Sequence, residues 1–262
     1  MNSAHKVADS SVYAVRQLQE KGIFFVINSA RSPSGIYPIL REKGIFCPII
    51  CYSGALVMDE AGNVLSSAGM DKKTAGEVVS FIETRGFDCS WNLYSVDTWI
   101  VKDRKDPRVV REEKIVHAEA LEGTVDLLPE GAKIGKVLCM CAPDRIIEIQ
   151  RELVTRFPDM SVVRSSDILL EIMAGGINKG GGVREFCRLK GIPVGETVGF
   201  GDHYNDAEML EAVGLPFLMG NAPDDLKQRF PGVTRSCDED GIYHALVSAG
   251  IILPLPAPGS SG

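Results

Sequence analysis

Gly199-Phe200-Gly201-Asp202-His203-Tyr204-Asn205-Asp206 sets two aspartates at the end of an apolar run, Thr197 to Phe200, where a helix is about to begin. In open α/β sheets, ligands bind at the carboxyl ends of strands. Asp202 would sit at such an end, free to ligate a hard cation, and Asp206 would sit at the helix start. Mg²⁺ favours carboxylates combined with phosphate oxygens and water. The plainer alternative makes Asp206 an N-cap and Asp202 a loop acid. A second cluster, Asn178-Lys179-Gly180-Gly181-Gly182, opens another helical stretch. Glycines cost a helix about 0.8–1 kcal/mol each relative to alanine, but they allow close approach to an anion at a helix N-terminus. Lys179 could then neutralise a phosphate, or simply be solvated. The Gly-Lys-Ser/Thr order of a P-loop is missing. The third cluster is Ser29 and Arg31, just past the apolar run Ile23 to Ile27. A hydroxyl and backbone amides at a strand end can hold a phosphoryl oxygen; an ordinary polar turn would look the same.

These groups need a scaffold, and the pattern around them supplies one. Ser10 to Lys21 has Val12, Val15 and Leu18 on one helical face, and Gly22 ends the run. Ile23 to Ile27 reads as a strand buried on both sides. A helix from Ser34 to Lys43 and a strand from Pro48 to Cys51 follow. This alternation predicts a parallel sheet flanked by helices. Ala55–Met58 and Asn63–Ser66 flank Asp59-Glu60-Ala61-Gly62, a hairpin signal. A helix over 72–85, short half-exposed strands over 91–94 and 98–101, a helix over 107–120 and a strand over 133–141 come next. After a helix over 143–156 and a strand over 161–163, a strand over 168–172 precedes the lysine cluster. The expected fold is α/β, a Rossmann-like core over 1–69 and 167–252 interrupted by a smaller α/β unit over 70–166. The tail 253–262, rich in Pro, Gly and Ser, is expected to be flexible.

Composition narrows the function. The formal net charge of −7 argues against a nucleic-acid surface built on bulk positive charge, but a small phosphorylated substrate needs only a few local donors. No run reaches the roughly 18 apolar residues of a membrane helix. Seven scattered cysteines suit reduced, buried thiols in the cytoplasm. Cys139 and Cys141 would share one strand face and pack in the core. The sequence does not specify an oligomeric state.

Taken together, Asn28-Ser29-Ala30-Arg31, Asn178-Lys179-Gly180 and Gly201-Asp202-His203-Tyr204-Asn205-Asp206 resemble the phosphate and metal motifs of haloacid dehalogenase phosphatases. Tyr52-Ser53-Gly54-Ala55, Leu170-Glu171-Ile172, Met219-Gly220-Asn221-Ala222 and Asp238-Glu239-Asp240-Gly241 extend the resemblance to the Cof-like subclass IIB. The resemblance implies Mg²⁺-dependent hydrolysis of small phosphomonoesters, sugar phosphates among them, with the inserted unit acting as a cap. It implies Asp202 and Asp206 as metal residues, Ser29, Arg31 and Lys179 on the phosphoryl group, and Asn205 orienting that group or the acids. Trp91, Tyr94, Trp99 and Arg104 are candidates for facing the site, although aromatics in a small cap are more often core.

Four features depart from the family pattern. Ala30 stands where Gly is usual and Ser53 where Asn is usual, and Gly181 and Gly182 replace better helix formers. The family also opens with a strand ending in Asp-x-Asp-Gly-Thr, whose first Asp attacks phosphorus and whose second is the acid and base. No such motif occurs before Ser29. About 10–15 residues, one strand and its loop, are expected to be missing ahead of Met1, between the strands ending at Ile27 and Phe200. The chain as written is therefore expected to be inactive. A non-catalytic phosphate-binding protein, or a phosphotransferase or phosphomutase on the same scaffold, are the alternatives.

Overall fold

The computed structural model describes residues 1–4, 6–116 and 118–256. In chain order the first part holds α1 (Asp9–Glu20), β1 (Ile27–Asn28), α2 (Tyr37–Glu42), β2 (Ile49–Cys51), β3 (Leu56–Met58) and β4 (Val64–Ser67). The insertion holds α3 (Lys72–Arg85), β5 (Cys89–Ser95), β6 (Thr98–Val101), α4 (Pro107–Val116), β7 (Leu121–Glu122), β8 (Lys136–Cys141), α5 (Ile146–Arg156), β9 (Met160–Arg164) and β10 (Leu169–Ala174). The chain then returns through α6 (Lys179–Lys190), β11 (Val198–Gly201), α7 (Ala207–Ala212), β12 (Leu215–Leu218), α8 (Asp224–Lys227) and α9 (Gly241–Ser248).

The core has helices on both faces, as its apolar alternation requires. On β2, Ile49 and Cys51 pack with Val12 and Val15 of α1 and Leu40 of α2, whereas Ile50 packs with Phe186 of α6. Helices α1 and α9 meet through Ala14, Leu18 and Leu246, with Phe25 and Phe200 packed against them.

The parallel strands form two separate pieces. β1 pairs in parallel with β2, in the order β1-β2-β3-β4, and β11 pairs in parallel with β12 alone. Among the described residues, β1 and β11 each have one edge without a strand partner. The run Ile23–Ile27 consequently differs from the expected strand buried on both sides. Only Ile27 and Asn28 are extended partners of β2, and Ile23 and Phe24 are 43% and 48% exposed. An apolar run becomes a buried strand only when something covers both its faces and edges.

The inserted unit is one six-stranded sheet, order β7-β6-β5-β8-β10-β9. β10 is hydrogen-bonded on both sides, to β8 and β9, so this sheet extends to Ala174. The sheet thus runs past residue 166, because periodicity marks a strand there but does not say which sheet it joins. The strands over 91–94 and 98–101, expected to be half-exposed, are buried almost throughout. One face of the sheet carries Trp91, Leu93, Val137 and Cys139 under α3 and α5; the other turns Tyr94, Trp99, Leu138 and Met140 toward the core. Of the tail, residues to Pro256 are described. Gln17 Oε1 accepts from the Leu253 amide at 3.0 Å, and Tyr13 Oη donates to the Pro254 carbonyl at 3.1 Å. The rest of the expected flexible tail, 257–262, lies outside the described residues. No helix among those described is long and apolar enough to cross a membrane.

Candidate active site

The loops after β1 and β11 converge on the start of α6. Asn178 caps that helix, its Oδ1 accepting from the Gly181 amide at 2.7 Å. This places Lys179 in the first turn, buried, with its ammonium donating to Asp206 Oδ1 at 2.6 Å. The Lys179 carbonyl accepts from Asn28 Nδ2 at 2.9 Å. Asp206 in turn accepts on Oδ2 from the amides of Asp202 at 2.9 Å and His203 at 3.2 Å. One continuous hydrogen-bonded path thus runs from the residue before Ser29, through Lys179, to the acidic loop.

The glycines of Asn178-Lys179-Gly180-Gly181-Gly182 have a packing reason. A Cβ on Gly180 would lie 2.2 Å from the Glu208 carbonyl oxygen, and one on Gly182 would lie 2.6 Å from Ile50 Cγ2 and 2.8 Å from Gly54 Cα. Two of the three therefore let α6 lie against α7 and against the turn Tyr52-Ser53-Gly54, at the cost in helix propensity noted above. That turn has positive φ at three successive residues, 50°, 54° and 111°. Its Ser53 amide donates to the Ser29 carbonyl at 3.0 Å. Asparagine tolerates this left-handed region better than serine, which gives a physical reason for the family's usual residue at 53. Ala30 is not among the residues with positive φ, so alanine fits there.

Ser29 follows β1, its amide donating to the Ile50 carbonyl at 2.8 Å and its Oγ accepting from the Arg31 amide at 3.2 Å. Arg31 is exposed. Asp202 and Asn205 are exposed on the acidic loop. Asn221 Nδ2 donates to Asp202 Oδ2 at 3.0 Å, bracing it from the Met219-Gly220-Asn221-Ala222 turn. Mg²⁺ takes one or two carboxylates with its remaining positions filled by phosphate oxygens and water. Asp202 suits that demand, presenting a carboxylate at a strand end with one oxygen braced. Asp206 is already engaged on both oxygens, so its support would pass through the loop it holds. Among the described residues no three His, Cys, Asp or Glu side chains are grouped to hold a metal ion.

Sequence reasoning missed the side chain that ties the inserted sheet to this site. Lys136, first residue of β8, is buried with its ammonium 3.1 Å from Glu171 Oε1 and 3.3 Å from the Ala30 carbonyl oxygen. It also lies 5.6 Å from the centre of the Tyr94 ring, which stacks on Trp99. Nearby, Asp97 at the β5–β6 turn accepts from the Ser34 amide at 2.8 Å, and Tyr52 Oη donates to the Val96 carbonyl at 2.6 Å. Burial pushes the Tyr52 phenol well above its ordinary range, with negative neighbours adding to it. The available signal was a lysine opening an otherwise apolar run, which a hydrophobicity pattern treats as a strand end. Of the four residues suggested as site-facing, Tyr94 and Trp99 lie on the core side of the sheet. Trp91 points to the opposite face, donating to Glu83 Oε1 at 3.1 Å. Arg104 pairs with Glu113 and Glu119 beside α4.

A split parallel sheet with loops converging at its strand ends, joined to an inserted and mainly antiparallel sheet, makes a mixed α/β scaffold. The chain belongs to the haloacid dehalogenase-like hydrolase family, whose pattern matches residues 1–246. A Haemophilus influenzae relative is 30% identical over 244 residues, covering 92% of this chain and 91% of its own. The HMP-PP phosphatase of Yersinia enterocolitica is 28% identical over 248 residues, 92% of this chain and 88% of its own. Among solved structures, a haloacid dehalogenase-like hydrolase from Bacteroides thetaiotaomicron superposes with a TM-score of 0.83 at 23% identity, covering 95% of each chain. The subclass IIB sugar phosphatase BT4131 gives 0.77 at 23% identity, over 95% of this chain and 94% of its own.

Proposed function

We propose that this protein is a phosphomonoester hydrolase acting with Mg²⁺ on small phosphorylated metabolites, sugar phosphates being the first class to test, in the cytoplasm. The observation that carries the reading is the path Asn28–Lys179–Asp206–Asp202, which joins three loops of phosphate- and metal-binding type at one place. The names of the relatives agree with it, two being a phosphatase of HMP-PP and one of sugar phosphates.

In this reading the Ser29 hydroxyl and the amides around it hold phosphoryl oxygens. Lys179, fixed by Asp206, balances their charge, and Arg31 reaches the same group from the surface. Asn205 orients the phosphoryl group. Asp202, with Asp206 behind its loop, would hold Mg²⁺, which when bound offsets negative charge on the phosphoryl oxygens. The inserted sheet closes over the site and selects the leaving group, through the face that carries Tyr94, Trp99 and Lys136.

The nucleophile is assigned to an Asp-x-Asp-Gly-Thr strand that these 262 residues do not contain. Support comes from the free edges of β1 and β11, the exposure of Ile23 and Phe24, and Asn28 Oδ1, which is buried without a partner among the described residues. A buried acceptor left unpaired costs about 1–3 kcal/mol, and a further strand seated there would relieve it. The absence of the motif also favours a second reading, a phosphate-binding protein without catalysis. A single comparison separates them: p-nitrophenyl phosphate hydrolysis by this chain and by one extended with the in-frame residues encoded upstream of Met1. We expect background rates from the first and Mg²⁺-dependent turnover from the second, lost on changing its first motif Asp to Asn. Inactivity of both forms would favour the binding protein. Turnover by the 262-residue chain that Asp202→Ala abolishes would mean another residue is the nucleophile.

A further inference from the structure

Three cysteines outside this site share one patch of the inserted sheet. Cys139 and Cys141 lie on the face of β8 covered by α3 and α5, and Cys89 on β5 is the direct cross-strand partner of Cys141. Cys141 Sγ donates to the Cys139 carbonyl at 3.7 Å. The neighbouring Cys139 and Cys141 thiols, in that order, hold Cys89 below the ordinary thiol range, with Arg108 assisting against burial. The same contacts, together with burial, push Cys139 and Cys141 up.

Backbone hydrogen bonding fixes the kind of pair. The Cys141 amide donates to the Ile168 carbonyl at 2.8 Å, on the β10 side, and the Cys89 amide donates to the Phe87 carbonyl at 2.8 Å. Neither amide bonds across from β5 to β8. Cys89 and Cys141 are therefore a non-hydrogen-bonded antiparallel pair, in which Cα atoms lie about 4.5 Å apart and side chains approach most closely. A disulfide spans Cα separations of about 4.4–6.8 Å, a range that takes in the spacing of such a pair. Cys89 is half-buried, whereas Cys139 and Cys141 are buried. An oxidant in solution thus reaches first the sulfur with the greatest thiolate character.

We propose that Cys89 and Cys141 form a reversible dithiol–disulfide site in the inserted unit, opened and closed by small-molecule disulfides and thiols. The Cys89 thiolate attacks one sulfur of a disulfide such as glutathione disulfide. That S–S bond breaks, and one glutathione leaves as thiolate. Cys141, giving its proton to the departing thiolate, attacks the Cys89 sulfur of the mixed disulfide and releases the second glutathione. Two protein thiols are oxidised, and one small disulfide is reduced to two thiols. In a reducing compartment such a pair acts transiently, as a sensor.

The test exposes the folded 262-residue chain to glutathione disulfide, alkylates the remaining thiols, and maps the linked peptides by mass spectrometry. The expected product is a Cys89–Cys141 peptide, with an intact mass lower by two hydrogens that dithiothreitol restores. Cys139→Ser should still form it and Cys89→Ser should not. A lasting glutathione adduct on Cys89 with Cys141 free, a bond to Cys139 instead, or seven unmodified thiols in the wild-type chain would each overturn the proposal. The wild-type map decides the matter even if a variant folds poorly.

Discussion

Every residue of β5 from Ser90 to Ser95 is buried, whereas the run leading into β1 leaves Ile23 and Phe24 open to solvent. Both regions are sheets with helical cover, and they differ in where their edges fall. The inserted sheet puts its edges at the periphery, on the two-residue β7 and on β9 with Arg164, and pairs all its central strands. The core has its open edges at β1 and β11, whose ends carry the phosphate- and metal-type loops. Unpaired strand edges are a liability in a soluble protein. The inserted sheet is the better closed of the two, and the core sheet, whose strand ends carry the converging loops, is the more dependent on further contacts.

Among the described residues each unit holds one buried ion pair, Lys179–Asp206 between the α6 start and the acidic loop of the core and Lys136–Glu171 in the inserted sheet. The largest effect is expected from breaking the core pair. Lys179→Met strands a buried carboxylate and should cost roughly 3–5 kcal/mol, part of it regained in the Lys179→Met/Asp206→Asn double variant, whose neutral side-chain oxygen can still accept from the Asp202 and His203 amides. Urea denaturation measures both, and calorimetry with inorganic phosphate should show weakened binding in each. Full phosphate affinity in either variant would break the assignment of Lys179 to the anion.

The next effect tests whether the inserted sheet is the sturdier unit. Leu93 is buried between α3, α5 and the sheet. Leu93→Ala should cost about 2–5 kcal/mol, read in urea. Amide exchange should then speed up in β5 and β8 toward the faster exchange expected at Ile27 and Asn28. If β1 amides are already the slower set in the wild-type chain, the comparison fails.

The smallest effect sharpens the boundary of the insertion. Asp71 caps α3, its Oδ1 accepting from the Thr74 amide at 2.7 Å, and those bonds hold its carboxyl below the ordinary range. A depressed folded value stabilises the fold above the unfolded pKa of about 3.9, and the benefit fades as pH falls through the lower folded value. Asp71→Asn should therefore lower the melting temperature slightly at pH 7, and the gap should close in acid. A gap that persists at low pH would place the effect elsewhere.

Much of the fold was legible because it follows from local rules. The helix over Lys72–Arg85 begins at Asp71 and ends at Gly86 in the left-handed region, as its caps require. The hairpin at Asp59-Glu60-Ala61-Gly62 forms where its turn residues stand, with Asp59 Oδ1 accepting from the Asn63 amide at 2.7 Å. Asn178 was legible as the residue preceding a helix start, and it is the N-cap. Ser29, Lys179 and the acidic loop were legible as candidates because each stands at an element end, where polar groups need a purpose.

The sequence by itself determined most element types, the order of the loops and which residues are candidates for binding anion or metal, because periodicity and capping act over a few neighbouring residues. Only the tertiary structure decided that β10 joins β8 in the inserted sheet, since that partner lies far off in sequence and a strand's own pattern does not name it. It decided that Gly180 and Gly182 are there for close helix packing, a fact set by Glu208 and Ile50 across the fold. It placed Lys136 on the Ala30 carbonyl and Cys89 opposite Cys141. Each of these pairings spans a long chain separation, where contact is fixed by the shared geometry of packed sheets and helices rather than by any local preference.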